Sequence, residues 1–257
     1  MSITLRTLRS GSASGYLLVH GFLGSSRDWQ EIVRMSAGAR EILALDLPGH
    51  GESSAPVGAT SFEGVIEVLG RGLQERLMGP VHGVGYSLGG RIVVGLSQRY
   101  PDLFSSLTLI STFPGYEDEH ERAARLASDV DWAQRFKKNS LPEVLRDWYR
   151  QPIFASEEWT ADLWSSIVSR CVDVRQESVA EMLLATSSAK MPSYWKHLEK
   201  THHPLQLIVG ERDKKYVGIA REVARRNPGS EVAVVAEAGH SVLLEKPFEL
   251  AKRLCFQ

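Results

Sequence analysis

Cysteine is scarce in this chain. Cys171 and Cys255 are its only two, too few for a disulfide framework and not in the C-x-x-C spacing of a metal site, so both are expected as free thiols. Long hydrophobic runs are missing as well. No segment reaches the roughly 20 consecutive apolar residues that a membrane-spanning helix needs. The opening MSITLRTLRS also lacks the apolar centre of a secretory signal, so a cytoplasmic location is the expectation. Neither sign of charge dominates. With 30 basic residues against 31 acidic ones the net charge is −1, which leaves no global attraction to nucleic acid or to an anionic membrane, and any recognition of an anion has to be local. No histidine pair has the H-E-x-x-H spacing, so no metal is expected. Internal repeats and low-complexity segments are lacking too, which excludes a repeat array or a disordered tail.

What is present is a chain of 257 residues with 43% hydrophobic content, long enough to bury a substantial core. Short apolar runs recur between turn residues: YLLVH at 16–20, EILALD at 41–46, VHGVGY at 81–86, SLTLIS at 106–111, LQLIVG at 205–210 and EVAVVAE at 231–237. Each reads as a buried strand. Helical stretches around 28–36, 62–77 and 89–99 fall between the early strands, and another falls between the last two. That alternation predicts an α/β fold with a mostly parallel sheet flanked by helices.

Between 113 and 203 the pattern changes to a strand-poor block rich in Trp, Arg and Glu, with helical periodicity near 118–137, 141–149, 158–169 and 177–188. The division expected is a core of 1–112 and 204–257 with a helical cap at 113–203. Ligands of open α/β sheets bind at the carboxyl ends of the strands, and a cap there covers a site.

Gly85-Tyr86-Ser87-Leu88-Gly89 follows a predicted strand and opens a predicted helix. In that context it reads as a nucleophile elbow, whose sharp turn requires the flanking glycines and exposes the serine hydroxyl. The backbone N–H of Leu88 starts the helix and faces the same place. The turn after strand 16–20, at His20-Gly21, aims the N–H of Phe22 there as well, so Phe22 and Leu88 are the candidate oxyanion-hole donors. A serine needs a base, and the base an orienting acid. Asp213 ends one later strand and His240 follows the next, in the chain order Ser, Asp, His. Ser87, Asp213 and His240 are therefore the candidate catalytic residues. His50, in DLPGHG, reads as a loop brace, and His82, His202 and His203 as structural or solvated.

The segments HGFLGS, DLPGHGES, GYSLGG and the late AGH resemble the α/β-hydrolase superfamily across 15–112 and 204–257. Within it, VGYSLGGR, DWAQRF, DWYRQPIFAS and GERDKKY are similar to the 2-succinyl-6-hydroxy-2,4-cyclohexadiene-1-carboxylate synthases of menaquinone biosynthesis. The resemblance implies an α/β-hydrolase fold and a lyase without cofactor. Such an enzyme removes a proton from 2-succinyl-5-enolpyruvyl-6-hydroxy-3-cyclohexene-1-carboxylate and eliminates pyruvate. Its tricarboxylate substrate implies cations in the pocket. Arg91, one helical turn after Ser87, is the first candidate; Arg125 and Arg170 are carried over by resemblance, with Arg175 as a rival to Arg170. Tyr86, Trp148 and Tyr149 correspond to pocket residues that hold the ring.

Plainer readings stand beside these. Arg125 is one turn from both Glu121 and Asp129, Arg91 is suited to neutralising a core carboxylate, and Trp148 and Tyr149 end an apolar helix where a core role serves equally. A serine triad also suits a carboxylester or carbon–carbon bond hydrolase, and a non-catalytic receptor is a third possibility that the intact Ser, Asp and His disfavour. The sequence leaves the oligomeric state open.

Overall fold

The computed structural model of the protein describes residues 3–11, 15–53, 60–154, 160–171, 174–254 and 256, with the side chains of residues 166 and 170 outside that description. Cys255 also lies outside the described residues, whereas Cys171 is buried, its thiol donating to Leu23 O at 3.8 Å.

Among the described residues seven strands form one sheet: β1 (Thr4–Arg9), β2 (Tyr16–Val19), β3 (Ile42–Asp46), β4 (Val81–Tyr86), β5 (Phe104–Ile110), β6 (Leu205–Gly210) and β7 (Glu231–Val235), in the order β1-β3-β2-β4-β5-β6-β7. All neighbours are parallel except β1 and β3. The sequences explain the placement. YLLV and ILALD are buried at every position, as strands covered on both faces must be. TLRTLR is half-buried or exposed at every position, which suits an edge strand that arginines protect from further pairing. With no apolar run of its own, β1 was not among the strands read from the sequence.

Successive residues of β2 serve opposite faces. Leu17 and Val19 join a cluster with Phe62 and Leu69 of α2 (Phe62–Arg76), Ile92 of α3 (Leu88–Arg99) and Val217 of α9 (Lys214–Arg226). Tyr16 and Leu18 join another with Ile32 of α1 (Gln30–Met35), Val242 of α10 (Val242–Glu245) and Leu250 of α11 (Pro247–Leu254). That is the two-period of a strand between two helical layers.

Between β5 and β6 the chain is helical: α4 (Glu119–Lys138), α5 (Leu141–Trp148), α6 (Ala161–Arg170), α7 (Gln176–Ala185) and α8 (Trp195–Lys200). The first four share a third cluster, built on Trp132, Phe136, Leu145, Trp148, Ile167 and Val179 and joined to the core through Leu23. Trp195 and Leu198 of α8 instead pack into the cluster beneath α3 and α9. No helix among the described residues is long and apolar enough to cross a membrane.

Two buried histidines tie the loops at the strand ends. His20 Nε2 accepts from Leu47 N at 3.0 Å, and its Nδ1–H donates to Gly21 O at 2.7 Å. His50 Nε2 accepts from Leu23 N at 3.2 Å, and its Nδ1–H donates to Pro48 O at 3.1 Å. Burial first, then His20, pushes the His50 pKa from 6.5 down to about 3. Between those values the unfolded chain takes up a proton that the folded chain refuses, so His50 costs stability as pH falls below 6.5, by about 1.4 kcal/mol per pH unit. Urea midpoints measured from pH 6 to 4 are expected to fall at least that steeply, and a His50→Gln variant to show a slope shallower by about the same amount.

Candidate active site

β4 delivers the chain to Ser87, which stands at φ +50°, ψ −108° before α3 begins at Leu88. This backbone conformation is strained for any residue with a Cβ. Two glycines make it possible: a Cβ on Gly85 would strike the Gly89 carbonyl and Gly90 Cα, and one on Gly89 would strike the carbonyls of Val19 and His20. The turn is held by Ser87 N–H donating to Ile110 O at 2.9 Å and by Arg91 N–H donating to Ser87 O at 3.2 Å.

His240 Nε2 lies 3.1 Å from Ser87 Oγ, and His240 Nδ1 lies 2.7 Å from Asp213 Oδ2. Nδ1–H therefore donates to the carboxylate, which leaves Nε2 to accept from the serine. Asp213 caps α9, and its other oxygen accepts from Tyr216 N–H at 3.4 Å. Both Asp213 and His240 are buried, where such bonds gain strength from the low local dielectric.

The loop bearing His240 is gripped by Ser111 and Glu245, which the sequence reading did not single out, and by Tyr86, which it placed in the pocket. Ser111, just past β5 at φ +46°, donates from Oγ to His240 O at 3.1 Å. Both carboxylate oxygens of Glu245 accept from Gly239 N–H at 3.0 Å. Tyr86 OH donates to Ser241 Oγ at 3.3 Å. The imidazole sits among the rings of Tyr216, Tyr86 and Phe154, with centroids at 4.6, 5.8 and 5.9 Å. Leu88 opens α3 and so has no acceptor within the helix for its N–H, and Phe22 N–H meets no protein acceptor among the described residues.

A cavity of about 690 Å³ opens over Ser87. Of the residues expected to bind substrate, it is lined by Tyr86, Arg91, Arg125, Trp148 and Tyr149, together with Ser87, Asp213, His240, Phe22 and Leu88. Arg170 ends α6, but its side chain lies outside the described residues. Its rival Arg175 lies elsewhere, donating to the Ser53 carbonyl.

Arg91 forms no ion pair with a carboxylate among the described residues, although buried Asp129 is near enough to favour its charge. Its Nη1 donates to the Thr186 carbonyl at 2.5 Å, and burial followed by repulsion from Arg125 lowers its pKa to about 10. Arg125 lies 2.9 Å from Asp129 Oδ1, the pairing anticipated as its plain role, while still facing the cavity. Asp129 is buried and accepts from Ser187 Oγ at 2.6 Å. Trp148 and Tyr149 are likewise both core and wall: each belongs to the helical cluster and also lines the cavity. Trp148 meets Phe22 at 4.8 Å and Trp132 at 5.0 Å between ring centroids. Phe113, Tyr116, Arg212, Lys214, Lys215 and Tyr216 complete much of the wall. Of these, Arg212 to Tyr216 carried a signal, since GERDKKY brackets Asp213.

The sequence model of the alpha/beta hydrolase family matches residues 16–253. The chain belongs to that family. Among its relatives, the 2-succinyl-6-hydroxy-2,4-cyclohexadiene-1-carboxylate synthase of Salmonella agona (strain SL483) is 38% identical over 237 residues, 91% of this chain and 90% of that protein. The same-named enzyme of Salmonella heidelberg (strain SL476) matches to the same extent. In three dimensions this alpha/beta hydrolase superposes on MenH from S. aureus with a TM-score of 0.89 at 25% identity, covering 97% of this chain and 96% of that one. A thermophilic esterase from Thermogutta terrifontis shares the fold, with a TM-score of 0.77 at 21% identity, covering 98% and 92%.

Proposed function

We propose that this protein is a pyruvate-eliminating lyase acting on 2-succinyl-5-enolpyruvyl-6-hydroxy-3-cyclohexene-1-carboxylate, with Ser87, His240 and Asp213 as its catalytic residues. The observation that carries the reading is the Arg91–Arg125 pair in the same cavity as the serine–histidine–aspartate relay. Asp129 pairs with Arg125, but one carboxylate serves two guanidiniums, and Arg91 has no carboxylate of its own among the described residues, which leaves the pair a place for a further anion. Acyl transfer to water makes no use of such a place, whereas a tricarboxylate does.

The reaction follows from substrate and product. The proton on C2, beside the succinyl ketone, leaves to the Ser87 oxygen as His240 Nε2 takes the serine proton. The electron pair forms C2=C3, the C3=C4 pair moves to C4=C5, and the C5–O bond breaks to release pyruvate as its enolate, which is then protonated. Serine acts as a base here and no acyl-enzyme forms. Negative charge gathers on the ketone oxygen, where the Phe22 and Leu88 N–H groups donate. Asp213 holds the imidazole in the tautomer that accepts at Nε2. No cofactor enters this scheme. Residues 113–203 act as the cap: Trp148 and Tyr149 close one wall over the ring, and Arg125 reaches from α4 to a carboxylate. Arg170 is kept as the candidate for a further carboxylate.

The purified protein is expected to accelerate pyruvate release from the enolpyruvyl substrate, followed with a coupled dehydrogenase, together with the ultraviolet absorbance of the diene. Rates no higher than the spontaneous loss of pyruvate would remove the reading. In its place would stand a carboxylester or carbon–carbon bond hydrolase, which the 3.1 Å Ser87–His240 geometry also suits. That alternative is recognised by a burst with small activated esters that is insensitive to Arg91 and Arg125.

A further inference from the structure

Tyr216 is buried in the first turn of α9 and belongs at once to the relay and to the anion pocket. Its N–H donates to Asp213 Oδ1 at 3.4 Å, so the cap that orients the carboxylate also fixes the tyrosine. Its ring lies 4.6 Å from the His240 imidazole at an interplanar angle of 59°. Its side chain lines the cavity alongside Arg91 and Arg125. Its hydroxyl meets no protein acceptor among the described residues and is not one of the fully buried polar atoms without a partner, so it is open to the cavity and available to a ligand there. The two guanidiniums near it are donors only and cannot supply an acceptor. Burial, ahead of Asp213 and against the two arginines, raises the phenol pKa to about 12, so the hydroxyl keeps its proton at neutral pH.

We propose that Tyr216 has two roles in the elimination proposed above: its hydroxyl donates to the substrate carboxylate held by Arg91 and Arg125, and its ring positions the His240 imidazole. Three sets of donors then converge on one acceptor, and the group that reads the carboxylate is rigidly tied to the base. An acceptor-rich anion satisfies all of them, whereas a neutral ester leaves the hydroxyl without a partner. The first role makes Tyr216 a specificity determinant and the second a positioning residue. The assignment rests on the lyase reading.

Two variants separate the roles. Tyr216→Phe keeps the ring and removes the hydroxyl, and is expected to raise KM for the enolpyruvyl substrate about 10-fold or more, with the loss residing in KM rather than kcat. Tyr216→Leu removes the ring as well. It is expected to lower kcat a further 10-fold or so and to move the acid limb of the kcat/KM pH profile, while Tyr216→Phe leaves that limb in place. Thermal midpoints of both proteins control for folding. An unchanged KM in Tyr216→Phe overturns the hydroxyl's role. Equal kcat and equal pH limbs in the two variants overturn the ring's. If the wild-type protein itself fails to accelerate pyruvate release, the lyase reading falls and takes this assignment with it. A working wild type with indifferent Tyr216 variants condemns the assignment alone.

Discussion

Replacing Ser87 by alanine is expected to lower kcat for pyruvate release by about 10³-fold, the middle of the range for a positioned general base. The geometry argues for an effect of that size. His240 Nε2 is 3.1 Å from Ser87 Oγ, and the imidazole is gripped by Asp213, by Ser111 through its carbonyl and by the ring of Tyr216. A histidine held so firmly is not free to move into the space of the lost oxygen. The fold is expected to tolerate the change, because alanine inherits the same φ of +50°. Ser87→Gly is then informative in the opposite direction. It loses the base as completely, yet releases backbone strain of order 1–3 kcal/mol, offset in part by the roughly 0.5–1 kcal/mol entropic cost of glycine. Its urea midpoint is expected to exceed that of Ser87→Ala by an amount worth about 1 kcal/mol. A serine variant that retains near-wild-type turnover would exclude Ser87 as the base, and accumulation of a serine-linked intermediate would point to acyl transfer instead.

The second large effect is expected at the arginine pair. Arg91→Ala or Arg125→Ala each removes a charge-assisted contact worth about 1.5–3 kcal/mol, so kcat/KM for the tricarboxylate falls about 10- to 100-fold. Arg91, whose pKa is lowered by burial and then by repulsion from Arg125, lies beside that second guanidinium, so the two losses are coupled and the double variant is expected to depart from the product of the singles. Stability is expected to separate the two residues. Arg91→Met relieves repulsion between like charges in the free protein and leaves Arg125 with Asp129, although it also leaves the Thr186 carbonyl without its donor. Arg125→Met leaves Asp129 buried without its cation, with only Ser187 Oγ as a donor to one oxygen, and is expected to lower the thermal midpoint more. Small activated esters lack the carboxylates, so their hydrolysis, if any, is expected to be indifferent to both changes. Equal losses on both substrates would show that the arginines serve the fold rather than recognition.

The pattern of apolar runs was sufficient to anticipate the interior strands, because strands covered on both faces are buried at every position and so mostly apolar, as YLLV is throughout and ILALD is up to its terminal Asp46. The same logic made the edge invisible. TLRTLR carries no apolar run, and its place in the sheet depends on antiparallel pairing with β3, whose residues lie some 40 positions further on. The elbow was legible because its close approaches fall at fixed offsets from Ser87: Gly85 meets the start of α3 and Gly89 the end of β2, and both glycines are visible as letters. Arg125 shows where a one-dimensional reading divides what the structure unites. Its helical spacing to Asp129 suggested a surface pair, yet that pair also presents the guanidinium to the cavity.

The sequence by itself therefore determined the α/β alternation, the strained turn at Ser87 and the order in which Ser87, Asp213 and His240 follow one another. The first two show as periodicities or residue types within a few positions, and the third is the order of the letters themselves. Tertiary structure decided what surrounds them. Ser111 reaches His240 across 129 residues and Tyr86 reaches Ser241 across 155, while Tyr216 meets the His240 imidazole only because two neighbouring parallel strands end at the same height. Such contacts leave no periodic trace in the chain, since they arise where separate layers close on each other and are selected by packing rather than by spacing.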